Sequence, residues 1–161
     1  MDYLWSPWRF RYASTAAVDR ECIFCAKAAE SDDRKNLIIF RAKYNFVLLN
    51  IFPYTTGHLM VTPYRHVATL EDMDGPTLAE MASITRLAEI SLRRVYNAPG
   101  YNVGLNIGES AGAGIAGHLH MHVLPRWPGD VNFMTSVAET RVLPEDLAVT
   151  YEKLLAAFRA D

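Results

Sequence analysis

Residues 118–124, His-Leu-His-Met-His-Val-Leu, alternate an imidazole with an apolar side chain three times in succession. A repeat of two is the period of a β-strand and of no helix. The run therefore predicts one strand with three imidazoles on one face and Leu119, Met121 and Val123 directed into a core. His118, His120 and His122 are three of the five histidines in the chain. Imidazole can take up a proton, bind a metal or attack phosphorus near neutral pH. The spacing alone leaves these alternatives open, together with a cluster that is merely hydrogen-bonded.

The remaining pattern supplies the scaffold for that strand. Residues 37–41 and 46–50 read as two strands joined by the turn Lys43-Tyr44-Asn45, and 58–62 as a third, closed by Pro63. Leu78, Met81, Thr85, Ala88, Leu92 and Val95 recur at helical spacing, with Pro76 in the first turn and Pro99-Gly100 as the stop. Residues 102–107 read as a fourth strand, 118–124 as the fifth, ended by Pro125, and 144–159 as a C-terminal helix. Strands, one long helix and then strands again is not the alternation of a doubly wound sheet. It predicts an α+β domain of about five mostly antiparallel strands with helices on one face. A chain of 161 residues can bury such a core without disulfides. Residues 1–161 read as a single domain, with 1–21 as an arm that packs on the body or on a partner subunit.

Charge and cysteine usage narrow the function. A formal net charge of −2 argues against a general nucleic-acid or anionic-membrane binder, so any anion site must be local. No apolar run approaches the roughly 18 residues of a membrane span, and the start is not a basic-then-apolar signal peptide. These features predict a cytoplasmic protein. Both cysteines lie in one Cys-x-x-Cys, Cys22 and Cys25. In a reducing compartment that pair suggests metal binding or redox chemistry, or two ordinary buried thiols.

Five of the nine glycines, at 104, 108, 112, 114 and 117, crowd the approach to the triad strand. Glycines let backbone N–H groups come close to an oxyanion, as phosphate-binding loops do. A Gly-rich loop that runs into three histidines points to phosphoryl chemistry more firmly than either part. Imidazole is a competent nucleophile at phosphorus, and backbone amides can hold the charge that builds on the non-bridging oxygens. His58, alone on an apolar strand, reads as a packed core residue or as a neighbour of the active site. Arg126 and Trp127 follow the strand directly and read either as surface residues or as a charge and a stacking surface for substrate.

Residues 118–124 resemble the signature of the histidine triad (HIT) superfamily: His, apolar, His, apolar, His, two apolars. Asn50, residues 56–63 and 65–67 resemble the upstream half of that family's pattern, and 125–130 its downstream half. The start, Leu4-Trp5-Ser6-Pro7-Trp8-Arg9 leading to Cys22-Ile23-Phe24-Cys25, is similar to a bacterial diadenosine tetraphosphate phosphorylase-like branch. The resemblance implies a HIT-like fold and an enzyme that cleaves a dinucleoside polyphosphate at the α-phosphate. His120 would carry a nucleotidyl intermediate, while His118 and His122 orient it, hold phosphate oxygens and move protons. Asn106 and the loop with Gly112 and Gly114 would contact phosphate, and Asn50 the ribose. Arg126 and Trp127 would serve the distal part of the substrate. Cys22, Cys25, His66 and His118 would hold a structural zinc. An adenine nucleotide, a homodimer or tetramer, and either phosphate or water as acceptor are implied. His122 stands where the family's nucleotidyltransferases have glutamine, which argues against hexose-1-phosphate uridylyl transfer. The alternatives are an adenosine phosphoramidase and a zinc-stabilised nucleotide-binding protein without significant turnover.

Overall fold

The computed structural model describes residues 22–131 and 143–160; the expected arm at 1–21 lies outside them. Two short helices, α1 (Ile23–Ala29) and α2 (Asp33–Asn36), precede the hairpin β1 (Ile38–Arg41) and β2 (Asn45–Leu49). Then come β3 (Leu59–Pro63), the long helix α3 (Gly75–Tyr96), β4 (Gly100–Leu105), β5 (Met121–Arg126) and α4 (Leu147–Phe158). The five strands form one sheet in the order β1-β2-β3-β5-β4, and every pairing is antiparallel. The expected α+β architecture is observed.

Each side of the sheet has its own apolar layer, set by the period of two. Val47, Leu49, Leu59, Val61 and Val123 pack against Met81, Ile84, Ala88 and Leu92 of α3 and Tyr151, Leu154 and Phe158 of α4. Their neighbours Ile38, Phe46, Leu48 and Met60 face the other way and pack on Phe24 of α1. Helices therefore cover part of both faces, not one face as the order of elements suggested. This explains why β2 is buried at all five positions and reads as an unbroken apolar run. Sequence periodicity does not reveal α1 and α2, which are too short to hold a helix without tertiary contact. Phe24, 2% exposed, supplies that contact for α1.

Several boundaries move for identifiable reasons. The carboxylate of Asp74 accepts the Thr77 N–H at 2.8 Å and starts α3. Asn97, with φ +47°, ends it after Tyr96, as the helical spacing predicts, by returning its N–H to Arg93. β4 begins at Gly100, paired with Arg126, instead of at residue 102. Pro125 does not end β5, which continues to Arg126. β3 pairs only with residues 121–123 of β5, so Pro125 sits where that side of the strand is an edge and no N–H is required.

The β1–β2 turn is clamped from a distance. Glu80 of α3 accepts the backbone N–H groups of Lys43, Tyr44 and Asn45 at 3.1, 2.7 and 2.8 Å, and the Asn45 side-chain amide at 2.9 Å. Replacing Glu80 by Ala strands these donors on a partly buried turn. The Glu80→Ala protein should lose about 1–3 kcal/mol in urea unfolding, and an unchanged midpoint would show that the clamp contributes nothing.

Candidate active site

The triad begins just ahead of β5. The ladder between β3 and β5 closes at Val61 and Met121, and the chain upstream is held by irregular bonds. Leu119 N–H donates to Val67 O at 2.7 Å, and the Thr62 hydroxyl donates to Leu119 O at 2.9 Å. Only His122 of the three lies within the strand proper; His118 and His120 precede it. The expected sidedness holds within β5. Met121 and Val123 meet the α3–α4 layer, and His122 stands opposite Met60 on the α1 face.

Hydrogen bonds fix what each ring can do, because a neutral imidazole has one donor and one acceptor nitrogen. His118 donates from Nε2 to Pro63 O at 2.9 Å, which leaves Nδ1 as a lone pair. That Nδ1 lies 3.2 Å from Cys22 Sγ and 3.5 Å from Cys25 Sγ. His120 donates from Nδ1 to His118 O at 2.8 Å, which leaves its Nε2 unprotonated. His58 accepts the Tyr54 N–H at Nδ1, 3.1 Å away, so its proton is on Nε2. It donates that proton to His122 Nδ1 at 2.8 Å, and His122 is left with Nε2–H. One cavity is thus presented with a nucleophilic nitrogen from His120 and a donor from His122.

That cavity, of about 220 Å³, is lined by His120, His122, Asn50, Asn106, Gly112 and Gly114 at its polar end. Ile23, Phe24, Leu48, Met60 and Ile115 form its apolar part. Six residues singled out from sequence therefore meet in one place. Asn50 is oriented by the loop that follows it: its Oδ1 accepts the Phe52 N–H at 2.9 Å, and its Nδ2 lies 3.3 Å from His58 Nδ1. The Gly-rich loop differs from expectation in one respect. The N–H groups of Ala111, Gly112 and Ala113 bond to carbonyls of Gly108 and Glu109 inside the loop. Gly112 and Gly114 instead contribute surface without side chains. His118 is buried and directed away from the cavity, with both nitrogens engaged.

Arg126 and Trp127 are not beside His120. They line a larger, neighbouring cavity of about 760 Å³ with Tyr96, Lys153 and Glu145, and Tyr54 borders both spaces. Arg126 pairs with Asp130 and bonds to Asn102 Oδ1, and its guanidinium holds the Asp130 carboxyl down at about 2. The Trp127 ring meets Tyr96 edge-on.

His58 carries more than its sequence context suggested, being 1% exposed and bonded directly to His122. Its signal was Gly57 immediately before it. With φ +77°, Gly57 sits where a Cβ would lie 3.0 Å from both Leu92 and Tyr96. Phe24, another residue not singled out, packs its ring 5.2 Å from His118 and 5.0 Å from His120.

Cys22, Cys25, His66 and His118 form the expected second constellation. Their four ligand atoms lie within 4.8 Å of one another, and His66 Nδ1 is 3.4 Å from Cys25 Sγ. Tetrahedral bonds of roughly 2.0–2.3 Å require ligand separations of about 3.3–3.8 Å. The three sulfur–nitrogen separations of 3.2, 3.4 and 3.5 Å already match this, so the set could hold a four-coordinate metal after a small closure of its widest pair. The His118 Nε2–H bond to a carbonyl leaves Nδ1 with the lone pair that a metal ligand needs.

Burial depresses the basicity of the triad. His120 is held below the ordinary imidazole value by desolvation, which outweighs its bond to His118 O. His122 is pushed down to about 4, first by desolvation and then by His120. Unfolded, His122 takes up a proton near 6.5; folded, it resists to about 4. Its contribution to stability is therefore full above pH 6.5 and lost as pH falls toward 4, a difference of roughly 3 kcal/mol. Urea midpoints of the His122→Gln protein should fall less steeply over that window than those of the wild type. Parallel curves would contradict a neutral His122.

The HIT domain family model matches residues 31–129. The chain is 41% identical over 160 residues to AP-4-A phosphorylase of Mycobacterium tuberculosis, covering 95% of this chain and 82% of that protein. It is 29% identical over 93 residues to the asymmetrical bis(5'-nucleosyl)-tetraphosphatase of Schizosaccharomyces pombe, 58% of this chain and 50% of that one. Among solved structures, a Zn-bound histidine triad family protein from Mycobacterium smegmatis superposes with a TM-score of 0.70 at 29% identity. That match covers 87% of this chain and 94% of the other. Fold, triad geometry and these matches agree: the chain belongs to the histidine triad family.

Proposed function

We propose that this chain cleaves dinucleoside polyphosphates at the α-phosphate through a covalent intermediate on His120, with diadenosine tetraphosphate as the substrate and inorganic phosphate as the acceptor. The observation that carries the reading is the bond from His120 Nδ1–H to His118 O, which leaves Nε2 as a lone pair facing the cavity. His120 Nε2 attacks the α-phosphorus, a P–N bond forms, and the P–O bond to the leaving polyphosphate breaks. His122 donates from Nε2 to a phosphate oxygen, supported from behind by His58. The acceptor then attacks phosphorus, the P–N bond breaks, and the lone pair returns to Nε2. Asn50 and Asn106 bind ribose and phosphate. The choice of phosphate over water follows the named activity of the Mycobacterium tuberculosis relative.

His118 acts on the reaction by position. Its carbonyl holds His120, while its ring belongs to the Cys22, Cys25, His66 cluster. Zinc suits these four ligands, and a structural neighbour is a Zn-bound protein. With four protein ligands a zinc there has no open position and supplies rigidity only. It would tie α1, one wall of the cavity, to the residue that orients the nucleophile.

Leu124 and Arg126 follow His122 on the same face of β5 and lead toward the larger cavity. Arg126 and Trp127 are placed to meet the distal nucleoside or phosphate of a long substrate that passes Tyr54. β4 is an edge of the sheet with Val103 47% exposed, which supports association of two copies along that edge. No helix among the described residues is long and apolar enough to cross a membrane.

Product analysis with diadenosine tetraphosphate tests the reaction. ADP plus ATP formed only with added phosphate is expected. AMP plus ATP without phosphate would mean hydrolysis, and no products with either acceptor would remove the substrate assignment. His120→Ala should lose turnover by roughly a thousandfold or more while still binding nucleotide; wild-type rates in that variant would end the mechanism. Wild-type protein should contain one zinc per chain by elemental analysis, and Cys22→Ser should contain much less. Full retention of metal by Cys22→Ser would contradict the ligand set.

A further inference from the structure

One residue of the nucleotide cavity has no role in the reaction described above. Among the described residues that line it, Lys27 carries the only charged side chain. It lies on α1, one turn after Ile23 and Phe24, which line the cavity with it. Its Nζ donates to Asn36 O at 2.9 Å, where α2 meets the start of β1. The helix that carries it is pinned by Arg41, whose guanidinium donates to Ala28 O and Glu30 O at 2.9 and 2.7 Å. The ammonium therefore has a fixed anchor and two further donors.

With the α-phosphorus at His120 and the ribose at Asn50, a nucleobase occupies the apolar part of the cavity. Ile23, Phe24, Leu48 and Met60 offer its faces apolar contact and no readout of the edge. An ammonium is donor-only. A base carbonyl next to it gains a charge-assisted hydrogen bond, whereas an exocyclic amino group sets donor against donor and leaves both unpaired. Burial also lowers the pKa of Lys27, so a carbonyl oxygen offsets a desolvation cost that an amino group leaves standing.

We propose that Lys27 is a base-selecting residue, which biases the cavity toward purines with a carbonyl at ring position 6 over purines with an amino group there. The assignment rests on the nucleotide reading above and adds a selectivity which that reading does not require. It concerns the edge of the base only, so diadenosine substrates remain competent while their 6-oxo counterparts gain affinity.

Calorimetric binding of inosine and adenosine 5'-monophosphates to the full chain tests it, because the two differ at ring position 6. The ratio of their dissociation constants should favour inosine monophosphate in the wild type. Lys27→Met should shift that ratio toward adenosine monophosphate by at least about tenfold, the worth of one hydrogen bond to a charged donor. Lys27→Arg, which keeps the donors, should retain the preference. Retained binding of adenosine monophosphate by Lys27→Met certifies that the variant is folded. An equal change for both nucleotides, or none, overturns the role of Lys27 and leaves the nucleotide reading intact. Failure of the wild-type chain to bind either nucleotide overturns both.

Discussion

The ring of His118 is held at both nitrogens, and the site takes its shape from that. Nε2 is bonded to the carbonyl of Pro63 at the end of β3, and Nδ1 stands among Cys22, Cys25 and His66. With the ring fixed, its own backbone carbonyl is fixed, and that carbonyl receives the His120 Nδ1–H. A contact two residues away thereby chooses the tautomer of His120. The same cluster anchors α1, whose Phe24 packs on the rings of His118 and His120. One constellation joins α1, the sheet and the His120 ring.

Burial supplies the rest. His58, His118, His120 and His122 are all 7% exposed or less, and desolvation keeps the triad histidines neutral. Neutral imidazoles pack together when buried donors meet acceptors, and the network does this as far as His122 by passing direction along the chain of bonds. Tyr54 N–H points at His58, His58 at His122, and the donor that emerges faces the cavity. A protonated ring anywhere in this chain would reverse a bond or add a buried charge.

Much of this was legible in the sequence because it is written in short periods. The repeat of two gave the sidedness of Met121, His122 and Val123, although the strand begins only at Met121 and leaves His118 and His120 ahead of it, and the spacing of Met81, Ala88 and Leu92 gave α3. Six residues singled out in the sequence line one cavity, since the turns that join them lie close to the triad strand. What was not legible depends on distance. Glu80 clamps a turn from 35 residues away, and α1 is a helix because Phe24 finds a pocket in the sheet. Arg126 and Trp127 follow His122 closely in sequence, yet the strand carries them past Tyr54 into a second cavity. His58 reads in sequence as a packed core residue or a neighbour of the active site, and only the fold identifies its partner 64 positions later.

The central claim is that Nε2 of His120 forms a bond to phosphorus. Rapid mixing of the protein with diadenosine tetraphosphate in the absence of phosphate, followed by alkaline quench and peptide mass analysis, addresses it directly. A mass increase of one adenylyl group on the peptide bearing His120, lost on mild acid treatment, is the predicted result. Substrate turnover with no adduct on that peptide at any time, and with an inverted configuration at a chiral α-phosphorus, would mean that the acceptor attacks phosphorus directly and would contradict the account.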